Sequence, residues 1–336
     1  MQSFRSYRAV ILFLILATLG AALIALCVGR YSFVPAEAFR AILDHMRGDV
    51  QNEAMDNVIF VLRLPRILGS ILIGACLALS GAVYQSVFRN PLVSPDILGV
   101  SSGASVGAAL SSILGGSIFF RQISAFGVGL LAVTISVAIP KIMKNSSTLM
   151  LVLSGTIVNG FMSSLCTLLK FVADEETQLS TIIYWQMGSV ASVKTDTLLA
   201  VLPVFAVGSV ILLLLSWQLN IISFGESEAR TLGVNLKLIR TLTIAVASMM
   251  TASAVCISGT IGWIGLVIPH LGRLLVGSDN TKMLPCAMLM GGLFLLLIDT
   301  VARTATALEI PLSILTGVIG APIYAWLLWK QKAKVT

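Results

Sequence analysis

The chain has 336 residues, of which 57% are hydrophobic and only 11% are charged, and its formal net charge is +7. A soluble domain is about one quarter charged, so this composition excludes a water-soluble enzyme or binding domain and indicates a protein that lies largely in lipid. No hydrophilic stretch is long enough to fold as a second domain, so residues 1–336 are expected to form a single transmembrane domain.

Stretches without Asp, Glu, Lys or Arg mark the candidate membrane spans. A helix needs about 20 apolar residues to cross the hydrocarbon core, so most of these stretches hold one span each. In chain order they cover 9–29, 67–88, 97–120, 122–140, 145–169, 197–225, 241–272, 283–298 and 310–329. The seventh stretch is too long for one ordinary helix and is interrupted by three glycines and Pro269, so two spans are predicted there, near 241–261 and 263–277. The sequence therefore predicts ten spans.

The charges at the two ends of the chain agree with an even number of spans. Arg5 and Arg8 precede the first span, and Lys330, Lys332 and Lys334 follow the last. Because basic residues beside spans favour the cytoplasm, both termini are expected inside the cell. The first apolar stretch is longer than the signal-peptide core of about 7–15 residues, so it is interpreted as an uncleaved helix.

A weak internal repeat relates the two halves of the chain. Opposed halves with broken helices at corresponding places are typical of many transporters, whereas ordinary packing of small residues between helices is the alternative. At an offset of 178 residues the matching pairs are Ser80-Gly81 with Ser258-Gly259, Pro91 with Pro269, and Gly99 with Gly277.

The sequence contains no pattern typical of catalysis, ATP binding or metal binding. No Lys follows a Gly, so a Walker A motif is absent and the chain is not expected to bind ATP. The five cysteines form no CxxC pair and cannot complete a zinc site with the two histidines, so buried membrane thiols and no metal site are expected. An intramembrane enzyme is disfavoured because no nucleophile–base pair is visible. No span has an acid at its centre, which a proton- or sodium-coupled carrier would often need.

The loop 217–240 lies on the side of the termini in this topology. Its acids Glu226 and Glu228 suit the first turn of a short helix, and Gly233 suits its end. The segment is either a docking element for a soluble partner or an amphipathic helix on the membrane surface.

Three arginines lie on the opposite side and oppose the positive-inside trend. Arg63 and Arg66 lie at the outer end of the second span, and Arg303 at the outer end of the ninth. They either extend to lipid phosphates or pair with carboxylates of an external partner, for which the forked guanidinium is well shaped.

Four groups of motifs follow one another along nearly the whole chain. They are Leu62-Arg-Leu-Pro-Arg66; Ser80-Gly81, Gln85, Arg89-Asn-Pro-Leu92 and Pro95-Asp-Ile-Leu-Gly-Val-Ser-Ser-Gly103; Gly262-Trp-Ile-Gly-Leu-Val-Ile-Pro-His-Leu-Gly-Arg273; and Asp299-Thr-Val-Ala-Arg303 with Glu309-Ile-Pro-Leu312, Gly317 and Gly320-Ala-Pro322. In this order they resemble the permease subunits of the FecCD family, the membrane half of ABC importers for ferric siderophores, haem and cobalamin. Asp96 departs from the family, which often has Gly or another small residue there.

The resemblance implies an all-α polytopic membrane protein with about ten transmembrane helices and the inverted-repeat fold of type II ABC importer permeases. It also implies a second permease subunit, identical or paralogous, two cytoplasmic ATPase subunits that use ATP and Mg²⁺, and an extracytoplasmic substrate-binding protein. No cofactor bound by this chain is implied. The expected location is the cytoplasmic membrane.

The resemblance also implies roles for individual residues. Docking of the binding protein falls on Arg63, Arg66 and Arg303. Coupling to the ATPase falls on Glu226, Glu228, Arg230 and Gly233, and a cytoplasmic gate falls on Ser147 and Thr148.

The function predicted from the sequence is ATP-driven import of an iron chelate, a ferric siderophore by the family's prevalence. Import of cobalamin or haem by a permease of the same family is the alternative. A secondary transporter or channel that works alone is a further alternative from a different class.

Overall fold

A computed structural model describes residues 2–29, 31, 33–144, 147–225, 229, 231–233 and 235–332, and these ranges contain helices and no β-strand. The helices are α1 (Gln2–Cys27), α2 (Pro35–Arg47), α3 (Glu53–Asp56), α4 (Leu64–Phe88), α5 (Val100–Ile113), α6 (Ile118–Ile142), α7 (Thr148–Val172), α8 (Ser180–Gln186), α9 (Thr195–Leu214), α10 (Ser216–Phe224), α11 (Leu236–Ser258), α12 (Ile264–Val276), α13 (Asn280–Thr304) and α14 (Leu312–Lys332). Two π-helical turns, Asn57–Arg63 and Glu175–Leu179, lead into α4 and α8, and the 3₁₀ turn Pro95–Leu98 precedes α5.

Seven helices of the described chain are long and apolar enough to cross a membrane, and three further helices are apolar. The seven are α1, α4 with α3 and the π-helical turn before it, α6, α7, α9, α11 and α13, and the three are α5, α12 and α14. Each of the ten corresponds to one predicted segment, including the division of 241–272 into two. The predicted all-helical, multi-span architecture is therefore confirmed.

Residues at positive φ mark the start of α5 and the break between α11 and α12. Gly99 (φ 83°) precedes α5, and Gly259 (φ 70°) ends α11 before Trp263 (φ 71°) leads into α12. Glycine adopts positive φ without steric cost, so these positions allow the chain to turn back. The helix in the stretch 97–120 covers only Val100–Ile113, so it is shorter than the charge-free stretch that contains it.

The two halves of the chain repeat the same order of helices. A long helix, a short one and two further helices follow one another as α4 to α7 and again as α11 to α14, whose first residues are 162 to 172 positions apart. The repeat is thus present in the order of the helices. The identities at an offset of 178 do not mark equivalent positions, because Gly81 lies inside α4 whereas Gly259 ends α11.

Helix α4 is the centre of the bundle, with 20 buried residues among its 25. It packs against α11, α12 and α13. Gly74 of α4 faces Gly291 of α13, and Gly81 faces Gly265 of α12, so closely that a Cβ added at either residue of α4 would overlap the opposing carbonyl oxygen. Close backbone approach through small residues is a common way for membrane helices to pack.

The structure gives the bundle two distinguishable ends. We call the end at which α1 begins and α14 ends the terminal end. The opposite end, at which α1 ends and α4 begins, is the distal end. The predicted buried thiols are confirmed for four of the five cysteines, all five being free and only Cys27 being half-buried.

Candidate functional site

The distal end carries a charged group that we call the distal arginine cluster, formed by Arg63, Arg66, Asp299, Arg303 and Glu309. Arg66 donates from Nε and Nη2 to the carboxylate of Asp299 at 2.8–3.1 Å, and from Nη1 and Nη2 to Glu309 at 2.9 Å. Asp299 is 1% exposed. A forked guanidinium between two carboxylates is a strong and directional arrangement, so Arg66 joins the beginning of α4 to the end of α13 and the segment after it.

The other two arginines of the cluster hold the carboxyl end of α1. Arg63 donates to the carbonyl oxygens of Leu26 and Tyr31, and Arg303 donates to that of Ala25. The last carbonyl groups of a helix have no partner within the helix, and the negative end of the helix dipole favours a nearby cation. Arg63 and Arg303 therefore cap α1 from two other helices, and both are buried.

The structure brings together Arg63, Arg66 and Arg303, the three predicted docking residues. The sequence had placed all three at the same end of the bundle. Their guanidinium groups contact the protein's own carboxylates and carbonyl groups. Sequence reasoning noticed Asp299 at a span end but did not pair it with Arg66, which lies 233 residues away. A docking role for these arginines stays a prediction.

A polar cavity of about 390 Å³ lies where α5, α12 and α14 begin. It is lined by Asp96, Ser101, Ser102, Ser105, Gln186, Thr260, Ile261, Gly262, Trp263 and Ser313. An adjoining cavity of about 280 Å³ reaches Leu77, half-way along α4, and Asp96 lines both. The cavities therefore lie between the two ends of the bundle, and most of the residues that line the polar cavity are half-exposed.

The lining of the polar cavity is held together by hydrogen bonds between distant segments. Ser101 donates to Asp96, Thr260 donates to the carbonyl oxygen of Gln186, and Ser313 donates to that of Thr260 at 2.6 Å. The starts of α5, α12 and α14 meet here. Discontinuous helices whose starts meet inside a membrane protein are typical of transporter binding sites and pathways.

Sequence reasoning missed the segment that supplies Gln186. The stretch 170–196 lies between two predicted spans, and after its helix α8 the chain meets the end of α11, where Ser189 N donates to the carbonyl oxygen of Ser258 at 2.7 Å. The apolar run Ile182 to Trp185 was the available signal, and Ile182 is buried. Asp96, expected in a loop at the terminal end, likewise lines the interior cavity.

At the terminal end, a chain of hydrogen bonds joins α10 to α13 and α4. Asn220 donates to Asp279 at 2.7 Å and accepts from Asn280 N at 2.7 Å, and Ser86 donates to Asn280 Oδ1 at 2.8 Å. Desolvation alone would raise the pKa of Asp279, but hydrogen bonds from Thr281 and Asn220 lower it below its ordinary value. Asp279 therefore remains an ionised acceptor, and α10 is pinned to the start of α13.

The predicted coupling segment follows α10 directly. Gly233 has φ 73°, in the left-handed region expected for a glycine that ends a helix. Glu226, Glu228 and Arg230 lie outside the described residues. Of the predicted gate, Ser147 accepts a hydrogen bond from Met150 N at 3.2 Å and so caps α7, which begins at Thr148.

Within the described residues, no group of three or more His, Cys, Asp or Glu side chains has the arrangement of a metal site. The charged and polar sites lie at the two ends of a bundle of apolar helices and between those ends. Together with the starts of three helices that meet around a cavity, they are the features of a multi-span membrane permease.

Comparison with known proteins gives the family. The family model described as the FecCD transport family matches residues 13–330, and the chain belongs to this family. It is 42% identical over 329 residues to the molybdate import system permease protein MolB of Haemophilus influenzae, with 97% of each chain covered. It is 40% identical to an iron chelatin transport system permease protein of Helicobacter pylori, over 87% of this chain and 88% of that one. It is therefore a permease subunit of an ABC importer and not an enzyme.

Solved structures agree with this assignment. A metal-chelate type ABC transporter in an inward-facing conformation superposes with a TM-score of 0.87 at 40% identity, covering 96% of this chain and 99% of that one. PsaBC from Streptococcus pneumoniae superposes with a TM-score of 0.57 at 18% identity, covering 85% and 95%, which shows a shared fold. The type II importer permease fold predicted from the sequence is confirmed.

Proposed function

We propose that this chain is the membrane-spanning subunit through which an ATP-driven importer moves an iron chelate into the cytoplasm. The observation that supports the proposal most is the agreement between the family match over residues 13–330 and the structural match to a metal-chelate type transporter. Relatives named for iron chelatin and haemin transport, at 40% and 34% identity, support a chelated iron substrate.

The proposed assembly contains two permease subunits, two cytoplasmic ATPase subunits and an extracytoplasmic binding protein. We place it in the cytoplasmic membrane with both termini of this chain inside, which makes the terminal end cytoplasmic and the distal end external. The basic residues beside the first and last spans support this orientation. Docking of the binding protein is then assigned to the distal end.

The hydrogen bonds at the terminal end suggest how the ATPase would act on the spans. The segment 225–235 follows α10, and α10 is tied through Asn220 to Asp279 and Asn280. A movement of this segment is therefore expected to reach α13 and, through Ser86, α4. Because α4 and α13 pack closely at Gly74 and meet again at Arg66, they would transmit the movement to the distal end.

Uptake by cells that lack this gene tests the proposed substrate. Deletion is expected to abolish uptake of the radiolabelled ferric chelate that the wild-type strain takes up, and a plasmid copy should restore it. Undiminished uptake of every ferric siderophore and haem that the wild-type strain takes up would contradict the proposal.

A molybdate importer is the second candidate, and one observation favours it. The relative named for molybdate import aligns over 97% of both chains, compared with 87% and 88% for the relative named for iron chelatin. In the same deletion strain, loss of radiolabelled molybdate uptake with undiminished uptake of ferric chelates would establish this candidate in place of the first.

Replacing Gly233 with valine is expected to weaken coupling between ATP hydrolysis and transport. A Cβ at this position would meet no heavy atom within 4 Å, so the cost arises from the positive φ and amounts to about 1–2 kcal/mol. The measurement is the ratio of substrate transported to ATP hydrolysed by the complex in liposomes, which should fall severalfold. Asn tolerates this conformation, so Gly233→Asn is the matched control. Equal ratios in both variants would contradict a coupling role for the turn.

A further inference from the structure

A cleft of about 620 Å³ lies between α6, α7 and α11 and is separate from the polar cavity. It is lined by Leu130, Val133, Thr134, Val137, Ala138, Pro140, Lys141, Ser147, Leu151, Leu236, Lys237, Arg240, Thr241, Ile244, Ala245, Ser248 and Met249. Most of these residues are apolar, and none is acidic.

The cleft opens on the outside of this chain and runs along its helices. Ala245 and Met249 of α11 line it and are exposed, Met249 to 41%. From Lys141 to Leu130 the wall on α6 spans eleven residues, or about 16 Å at 1.5 Å per residue. That is about half of a hydrocarbon core that is about 30 Å thick, so the cleft has the length of one lipid leaflet.

Positive charge is confined to one end of the cleft. Lys141 lies in the last turn of α6, and Lys237 and Arg240 lie in the first turns of α11. Lys141 and Lys237 are exposed, and no ion pair within the described residues involves either of them. This charged end is the terminal end of the bundle, where the headgroups of one leaflet would lie.

We propose that the cleft binds one anionic phospholipid, with an acyl chain along the apolar wall and its phosphate near Lys141 and Lys237. Basic sites between spans that continue into apolar surface match both halves of such a lipid. A zwitterionic lipid would fill the same apolar wall, but its own cation would offset the attraction to the lysines. Assignment to the cytoplasmic leaflet rests on the proposed orientation.

The bound lipid would contact α6 and α11 next to the predicted gate and coupling segments. Two residues that line the cleft lie at helix starts. Ser147 caps α7, and Leu236 is the first residue of α11. Occupancy would therefore fix the spacing of these helices close to the places where the ATPase is proposed to act.

Native mass spectrometry of the purified full-length permease tests the proposal with two probes of equal chain length, dioleoyl phosphatidylglycerol and dioleoyl phosphatidylcholine. We expect one phosphatidylglycerol per chain to be retained about tenfold more strongly than phosphatidylcholine. The double variant Lys141→Gln/Lys237→Gln should lose that preference. Lys330→Gln is the matched control, since this lysine lies at the same end on α14, 4.9 Å from the ring of Trp326 and outside the cleft.

A second variant tests the apolar half of the site independently of the charges. Ala245→Trp should fill the cleft and reduce phosphatidylglycerol retention, whereas Leu23→Trp, at an exposed position on α1, should not. Each variant is judged only if it elutes from size-exclusion chromatography as wild type does. Equal retention of the two lipids by wild type would overturn the proposal. An unchanged preference in the lysine variant, or unchanged phosphatidylglycerol retention in Ala245→Trp, would also overturn it.

Two further measurements test whether a lipid or a second copy of the chain covers the cleft, and in which leaflet the cleft lies. Efficient disulfide cross-linking between two copies through Met249→Cys would show that a second copy covers the cleft and would overturn the lipid assignment. Labelling of Ser3→Cys by an impermeant reagent from outside intact cells would contradict the proposed orientation and overturn the assignment to the cytoplasmic leaflet, while the lipid preference would still be expected.

Discussion

Replacing Gly74 with leucine should prevent the folded permease from accumulating. The two helices α4 and α13 touch through their backbones at Gly74 and Gly291, and a side chain on either one would overlap the carbonyl oxygen of the other. Overpacking of a dense core costs about 1–3 kcal/mol and occasionally more. Since neither backbone can yield without separating the helices along their length, we expect a loss of more than about 3 kcal/mol.

The measurement is the amount of monodisperse protein after detergent extraction, together with its thermal unfolding midpoint. Gly20→Leu is the matched control, because Gly20 also lies within a long apolar helix and has no heavy atom within 4 Å of an added Cβ. The Gly20→Leu variant should be extracted in the same amount as the wild-type protein. Equal yields and midpoints for the two variants would show that the contact between α4 and α13 does not limit folding.

Replacing Arg66 with glutamine should lower the stability of the folded permease nearly as much, for an electrostatic reason. Asp299 is almost completely buried and receives three hydrogen-bond contacts from this guanidinium. Removing one member of a buried ion pair leaves an uncompensated charge and costs about 3–5 kcal/mol. Glu309→Gln should cost less, since the side chain of Glu309 is 37% exposed and exposed ion pairs contribute about 0–1 kcal/mol.

A double-mutant cycle isolates the pair. Asp299→Asn in the Arg66→Gln background removes the stranded charge, so the double variant should be more stable than Arg66→Gln alone. Additive losses from the two single changes would contradict the buried ion pair as the source of stability.

The same cluster allows the docking hypothesis to be separated from the structural role. A variant that remains folded but binds the loaded binding protein more weakly, with a difference that diminishes at high salt, would support docking. Arg47→Gln, an exposed charge on α2, is the matched control. Unchanged binding-protein affinity in folded Arg303→Gln and Glu309→Gln variants would leave the cluster with a structural role only.

The sequence predicted the helices better than it predicted the site. The ten apolar segments could be found because the hydrocarbon core imposes a minimum length on each span and excludes charge from it. The extent of α5 could not be found in this way, since most of this helix is buried within protein, where a short helix is tolerated.

The hydrogen-bond partners of the charged residues could not be predicted from the neighbouring sequence. Arg63, Arg66 and Arg303 could be placed at one end from the order of the spans, but their partners depend on how distant helices pack. Ala25, whose carbonyl group accepts from Arg303, lies 278 residues before it. Likewise Asp96 lies between the second and third predicted spans, and only the packing of that connection against distant segments places it on the polar cavity.

The capping of α1 by Arg303 has a consequence for synthesis of the protein. Helix α1 packs mainly against α13, and Ala25 of α1 leaves the ribosome 278 residues before Arg303 of α13. At about 5–20 residues per second, that interval lasts about 14–56 s. During this time α1 must remain in the bilayer without Arg303, held by lipid, by its lesser contacts with α2 and α4, and by Arg63 at the carbonyl oxygens of Leu26 and Tyr31. The bundle closes around it only when the ninth span arrives.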